Sequence, residues 1–221
     1  MQFTEILLII ISIFNFTVAG FIFGRNKKSH INISFSLMYI FAAFWSLLIA
    51  LFLISNDQHS ALYFSKLYYV AAMLISPAFL YFSFSFPFPS FPIKLLKVIY
   101  LFLPAVLTST IILVPKILIS NVIIDNPNQV ELLWGYYLYS IVFLLYVLLA
   151  LLVMVRKYIR SDGVSKFQLK LLIIGAAIGF SNGMLFDLVL PFFGNYILIW
   201  IGPLSSFILM IFIYYLISKK E

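Results

Sequence analysis

Long apolar runs separated by short polar segments are the feature that most restricts how this chain can fold. Of its 221 residues 64% are hydrophobic and only 10% are charged, whereas a water-soluble domain carries about 25% charged residues. Each membrane-spanning helix needs about 20 apolar residues, so seven helices would use about 140 and leave about 80 for connections. The sequence therefore predicts an all-α integral membrane protein, a seven-transmembrane helix bundle that forms one domain over residues 1–221.

Polar and proline-rich segments between the runs set the expected helix boundaries. One connection differs from the others, because β-branched residues flank an Asn- and Pro-containing turn at residues 125–129. This pattern is typical of a β-hairpin, and a short external hairpin is predicted at about 116–135, between the fourth and fifth helices. The helices are expected at about residues 3–23, 31–54, 61–86, 95–114, 136–155, 167–190 and 196–217.

The distribution of basic residues predicts the orientation of the bundle. No basic residue precedes the first run, and Arg25, Lys27 and Lys28 follow it. A cleaved signal peptide has the opposite arrangement, with its basic residues before the apolar run. Of the 14 Lys and Arg residues, all but Lys66 and Lys116 fall on the side of the bundle that carries the C-terminus. Because basic residues collect in cytoplasmic loops, the N-terminus is predicted outside and the C-terminus in the cytoplasm.

The net charge of +7 is therefore explained by basic residues that orient the protein in the lipid bilayer and that can contact anionic lipid. No nucleic acid is expected as a partner. Enzymatic activity is also not expected. The chain has no Cys, no HExxH motif and no P-loop. Its two histidines, His30 and His59, fall on opposite sides of the membrane and cannot share a metal. No catalytic residue, metal site or cofactor is predicted.

The sixth predicted helix carries a stripe of small residues, Gly175, Gly179 and Gly183, and Asp187 continues it at the same spacing. Small residues at this spacing let helices approach closely, so the stripe favours packing within the bundle, with dimerisation as the alternative. A carboxylate inside a membrane helix is costly. Asp187 is therefore read either as a hydrogen-bonded carboxylate near the outer face or as a ligand contact.

Other candidates for ligand binding lie in the outer halves of the helices. Lys66 can extend to the interface, pair with an acid such as Asp187, or contact a ligand. Aromatic side chains there are typical of an interfacial belt, but they also provide the walls of a pocket beneath the hairpin. These aromatic candidates are Trp45, Tyr68, Tyr69, Trp134 and Tyr136.

Several local patterns, in this order, resemble the N-terminal seven-transmembrane region of bacterial sensor histidine kinases. They are Phe-Ala-Ala-Phe-Trp at 41–45, Ser-Pro at 76–77, the hairpin, the segment from Gly175 to Pro191, and Gly-Pro at 202–203. The resemblance covers essentially the whole chain. It implies a sensory input module in the bacterial cytoplasmic membrane that receives an extracellular or intramembrane signal, binds an unknown small ligand or lipid, and works as a homodimer.

The same resemblance implies that the last helix transmits the signal to a cytoplasmic output domain or kinase. That domain is expected to be absent from this chain, which stops at Glu221. Many relatives are expected to carry Asn where this chain has Asp187, so no family role is transferred to this residue.

Two other functions fit the same hydrophobic pattern. A small transporter or channel would favour an internal repeat with matching helix breaks, but Pro77, Pro104, Pro191 and Pro203 do not recur at a fixed interval. A standalone accessory membrane protein that partners a separate kinase would share every feature of the sensory module.

Overall fold

A computed structural model describes residues 3–90 and 94–205 of the chain. Within the sixth apolar span, the five residues Leu185–Val189 form a π-helical turn. Within the described residues, six helical segments are long and apolar enough to cross a membrane, and Gly163–Phe192 counts as one of them. The elements are α1 Phe3–Arg25, α2 His30–Ile54, α3 Gln58–Ser85, α4 Leu95–Leu113, β1 Ile119–Ile123, β2 Gln129–Leu132, α5 Gly135–Ile159, α6 Gly163–Met184 and α7 Leu190–Phe192.

Two helices begin earlier in the structure than in the sequence-based assignment. Helix α3 begins at Gln58 instead of residue 61 because Asp57 caps it: the carboxylate accepts a hydrogen bond of 2.8 Å from the backbone N–H of Ser60. This bond also lowers the pKa of Asp57. Helix α6 begins at Gly163 instead of residue 167, directly after Asp162.

The predicted seventh helix lies only partly within the described residues. Residues 197–200 form turns, and helical structure begins at 201 and continues to 205. The predicted start at residue 196 is therefore wrong. Gly194 explains the delay, because its φ of 76° ends α7 and redirects the chain. Residues 206–217 of this predicted helix lie outside the described residues.

Helix α3 is the centre of the bundle. Buried residues make up 78% of its apolar window, against 33% for α1, 22% for α4 and 17% for the span of α6. Helices α2, α4 and α5 and strand β1 all pack on α3. Pro77 lies within α3 and cannot donate to the carbonyl of Met73, but the hydroxyl of Ser76 donates to that carbonyl at 2.8 Å.

The two strands pair in antiparallel register, with Val122 opposite Val130, as the predicted hairpin requires. Hydrogen bonds hold the hairpin against the C-terminal end of α2 and the N-terminal end of α3. The buried side-chain amide of Asn128 donates to the carbonyls of Phe52 at 2.7 Å and Ser55 at 2.8 Å, at the end of α2. The side-chain amide of Gln58, in the first turn of α3, donates to the carbonyl of Val122 at 3.0 Å. The hairpin is therefore a fixed cover over this end of the bundle.

Lys157 fastens the opposite end of α3. The sequence assigns it to a loop after residue 155, but α5 continues to Ile159 and the Lys157 side chain is only 6% exposed. Its ammonium group donates to four backbone carbonyls, those of Ser83, Phe84, Phe86 and Phe88, at 2.7–2.9 Å. The last carbonyls of a helix have no partner within it, so Lys157 satisfies the end of α3 and joins it to α5.

Replacing Lys157 by Met keeps the length of the side chain and removes the donors. We expect the free energy of unfolding to fall by about 3 kcal/mol, because buried carbonyls lose their charged partner. Thermal unfolding in detergent measures the change. Lys170→Met is the control, because Lys170 is exposed on α6. Equal melting midpoints for the two variants would contradict this role.

Candidate functional site

The break in the sixth span has a local cause in Pro191. A proline cannot donate to the carbonyl four residues earlier, and its ring clashes with that carbonyl; here the carbonyl belongs to Asp187. The helix widens at this point, and the N–H of Leu190 donates to the carbonyl of Leu185, five residues back. Such π-helical turns occur frequently at functional sites. The sixth predicted helix, expected to be regular up to residue 190, is corrected in this respect.

A tyrosine of α5 satisfies the backbone that the wide turn leaves open. The hydroxyl of Tyr136 donates to the carbonyl of Leu188 at 2.6 Å and lies 3.5 Å from the carbonyl of Asp187. Its ring also stacks on Phe192 of α7, with centroids 6.3 Å apart. The turn that carries Asp187 is therefore held in place by α5.

The carboxylate of Asp187 is shielded from solvent and lacks a hydrogen bond to the part of the chain that the structure describes. Neither oxygen has a partner within residues 3–90 and 94–205. The carboxylate lies against the backbone of Gly202, so closely that a Cβ at Gly202 would overlap it and lie 2.8 Å from Oδ1. Only glycine fits there without displacing the acid. A buried polar group without a partner is costly. The position of the Asp187 carboxylate against the backbone of Gly202 is therefore energetically unfavourable.

A narrow cavity of about 50 Å³ lies beside this carboxylate. A water molecule needs about 10–15 Å³ measured in this way, so the cavity holds a few water-sized groups. Gly179 and Gly183 line it together with Asp187, which places three members of the predicted stripe on one face. Its other walls are Met38, Trp45, Ala72, Ile75, Tyr139, Phe143, Phe180, Met184, Leu188 and Gly202.

A cluster of buried tyrosines joins this cavity to α3. Tyr69 contacts the rings of Tyr68, Tyr136 and Tyr139, with centroids 4.4, 5.9 and 5.2 Å away. The hydroxyls of Tyr68 and Tyr69 make no hydrogen bond of normal geometry within the described residues. Above the cluster, the hydroxyl of Tyr196 donates to the carbonyl of Val130 in the hairpin at 3.1 Å. Aromatic contacts and one hydrogen bond thus connect the hairpin, α3, α5 and the last segment.

The structure brings some of the predicted ligand residues together and separates others. Trp45 is 7% exposed and lines the same cavity as Asp187, and Tyr69 lies in the tyrosine cluster next to it. Trp134 is 59% exposed and lies on an open groove beside the hairpin. Lys66 does not pair with Asp187, because its ammonium group donates to the carbonyl of Leu113 at the end of α4, at 3.3 Å.

The glycine stripe is less uniform than its sequence pattern indicates. Gly175 is half-buried and Gly179 is buried. A Cβ at Gly183 would meet no atom within 4 Å among the described residues, so close packing in this part of the chain does not require glycine there.

Sequence reasoning missed two members of the site. Gly202 was noticed only as part of a Gly-Pro pair, although a glycine that opens a helix can indicate close approach of another group. Tyr139 carries no distinctive signal, but its spacing of three residues from Tyr136 places both on one face of α5.

Fold and site together define a multi-pass helical membrane protein whose most unusual group is a buried acid near one end of the bundle, without a hydrogen-bond partner in residues 3–90 and 94–205. The model of the family described as the N-terminal 7TM region of histidine kinase matches residues 7–220. The chain belongs to this family, and the predicted resemblance is confirmed. The family is the sensory region of histidine kinases and not their catalytic domain, and it implies a cytoplasmic kinase as partner. No curated protein and no solved structure matches the chain.

The contact between Asp187 and Gly202 predicts a measurable coupling. Gly202→Ala alone should lower the free energy of unfolding by about 1–3 kcal/mol, because the added methyl group displaces the carboxylate. In an Asp187→Gly background the same change should cost much less, since the space is free. Thermal unfolding of the two single variants and the double variant measures the difference.

Gly183→Ala is the matched control. It adds the same methyl group beside the same cavity but meets open space, so it should leave stability unchanged or raise it through its better helix propensity. Additive effects of Gly202→Ala and Asp187→Gly would show that the two residues do not share this contact.

Proposed function

We propose that the chain is the sensory input module of a bacterial histidine-kinase signalling protein. Its N-terminus lies outside the cytoplasmic membrane, and its last helix carries the signal to a kinase output domain in the cytoplasm. Membership of the sensory family supports the function. The concentration of basic residues on one side supports the orientation. A homodimer is proposed by analogy with sensor kinases, which act as dimers.

The packing of the Asp187 carboxylate on Gly202 is the observation that carries this proposal. A ligand shifts a conformational equilibrium only by its difference in affinity for the two states. An unsatisfied carboxylate provides such a difference, because a group that neutralises it or donates to it removes a desolvation cost. Gly202 has no side chain that could absorb the resulting movement, so movement of the carboxylate is passed to the backbone at the start of the last helix.

The size and chemistry of the cavity indicate what kind of signal it takes. With about 50 Å³, it fits a proton, a small cation or a small hydrogen-bond donor. Trp45 and Tyr69 would form the apolar wall next to Asp187. The open groove at Trp134, of about 550 Å³, lies beside the hairpin and would be the approach from outside. Lys66 would contribute by holding the end of α4.

The test uses the native protein with its kinase. The intact mass of the native product comes first, because a mass above 25.4 kDa places the output domain in the same chain, whereas 25.4 kDa requires a kinase that co-purifies. Asp187→Asn keeps the shape of the side chain and removes its ability to ionise. We expect basal autophosphorylation to change about fivefold or more, since allosteric couplings are typically of this size.

Gly20→Ala, on the exposed face of α1 and outside this cavity, serves as the control and should leave autophosphorylation within about twofold of the unaltered protein, because its methyl group meets open space. Unchanged kinase activity in Asp187→Asn, at unchanged protein levels, would exclude the Asp187 site as the origin of the signal.

A further inference from the structure

A second groove lies at the other end of the bundle, between α5 and the segment that follows α3. Its volume is about 280 Å³. Lys157 forms its floor and fixes the segment through the carbonyls of Phe86 and Phe88. Lys157 therefore holds the two described walls of the groove together. Its walls are Phe84, Phe88, Pro89, Ser90, Val153, Arg156, Lys157 and Arg160.

The charge of this groove is positive and is not balanced from within it. Arg156 lies in the last turn of α5 and Arg160 caps the C-terminal end of that helix, four residues later, and both are exposed. Within the described residues neither guanidinium group forms a salt bridge or a hydrogen bond, and no acidic side chain lines the groove. Two neighbouring guanidinium groups are well suited to bind a phosphate, because each presents a planar fork of donors.

The groove also has an apolar side that continues onto the outer surface of α5. Val153 lines it, and Leu149 and Leu152, one turn earlier or less, are 49% and 54% exposed on a membrane-spanning helix. Phe88 is 40% exposed at the other wall. A soluble anion would use only the arginines, whereas a lipid would use both the arginines and this apolar side.

We propose that this groove binds an anionic phospholipid of the cytoplasmic leaflet. The phosphodiester lies between Arg156 and Arg160, and one acyl chain runs along Val153 toward Leu149. Basic pockets between membrane helices on the cytoplasmic side bind lipid headgroups in this way. The site is separate from the outer cavity, and it depends on the proposed function only through the orientation of the bundle.

Native mass spectrometry of the protein, titrated with phosphatidylglycerol or phosphatidylcholine in detergent, tests the proposal. We expect bound phosphatidylglycerol on the unaltered protein and weaker retention of the zwitterionic lipid. Arg156→Gln with Arg160→Gln should weaken phosphatidylglycerol binding about twentyfold or more, because each basic residue at an anionic lipid is worth about fivefold. Replacing both arginines by Lys should restore part of the affinity.

Lys27→Gln with Lys28→Gln is the matched control, because it removes two exposed charges from the same predicted side of the membrane but outside the groove. It should leave the affinity unchanged. Equal weakening by both double variants would mean that only net charge matters and would overturn the site. Competition by glycerol phosphate in the millimolar range would assign the groove to a soluble anion, and equal binding of both lipids would also overturn the proposal.

Discussion

The missing backbone donor of Pro191 is the constraint on which the hairpin end of the bundle depends. It leaves the carbonyl of Asp187 without its helical partner and widens the helix into a π turn at Leu185–Val189. The turn places the carboxylate against Gly202, while Tyr136 fills the hydrogen-bonding gap on the other side. A single imino acid therefore determines both where the buried acid lies and which segment it contacts.

The bundle combines a firmly held central helix, α3, with an energetically costly contact between Asp187 and Gly202. Helix α3 is the most buried element. At one end the hairpin is tied to α2 and α3 through Asn128 and Gln58, and at the other end Lys157 joins α3 to α5. The Asp187 carboxylate has no compensating bond within the described residues. A rigid bundle with one unfavourable contact is suited to a sensor. A small change at that contact can move the neighbouring segment, because the rest of the bundle does not deform.

Much of the fold could be predicted because membrane helices depend on simple rules of length and charge. The apolar runs locate the helices, and the turn at 125–129 locates the hairpin. The exceptions depend on capping and tertiary contacts that the apolar periodicity does not encode. Asp57 extends α3 by capping it. Lys157 is buried and bonded to backbone carbonyls, although a lysine at the end of a helix is normally exposed to solvent. The π turn was missed although Pro191, which causes it, was taken as a boundary.

The site was only partly predictable for the same reason. Asp187 stood out because a carboxylate in an apolar run is rare, and Trp45 stood out as an aromatic residue in the predicted outer half of its helix. The same logic failed for Lys66, whose partner is a backbone carbonyl of α4. Gly202 could not be assigned from sequence, because its role is the absence of a side chain at a contact 15 residues away from Asp187 in the chain.

We propose that Asp187 is coupled to the C-terminal end of the predicted last helix, and a distance measurement tests this coupling directly. The chain has no Cys, so spin labels at Lys27→Cys and Ser218→Cys can report the separation by double electron–electron resonance. In Asp187→Asn the mean distance should shift by about 2 Å, the size of helix movements in known switches, and Gly20→Ala, on the exposed face of α1, should leave it unchanged. Superimposable distance distributions for Asp187→Asn and the unaltered protein would contradict the account.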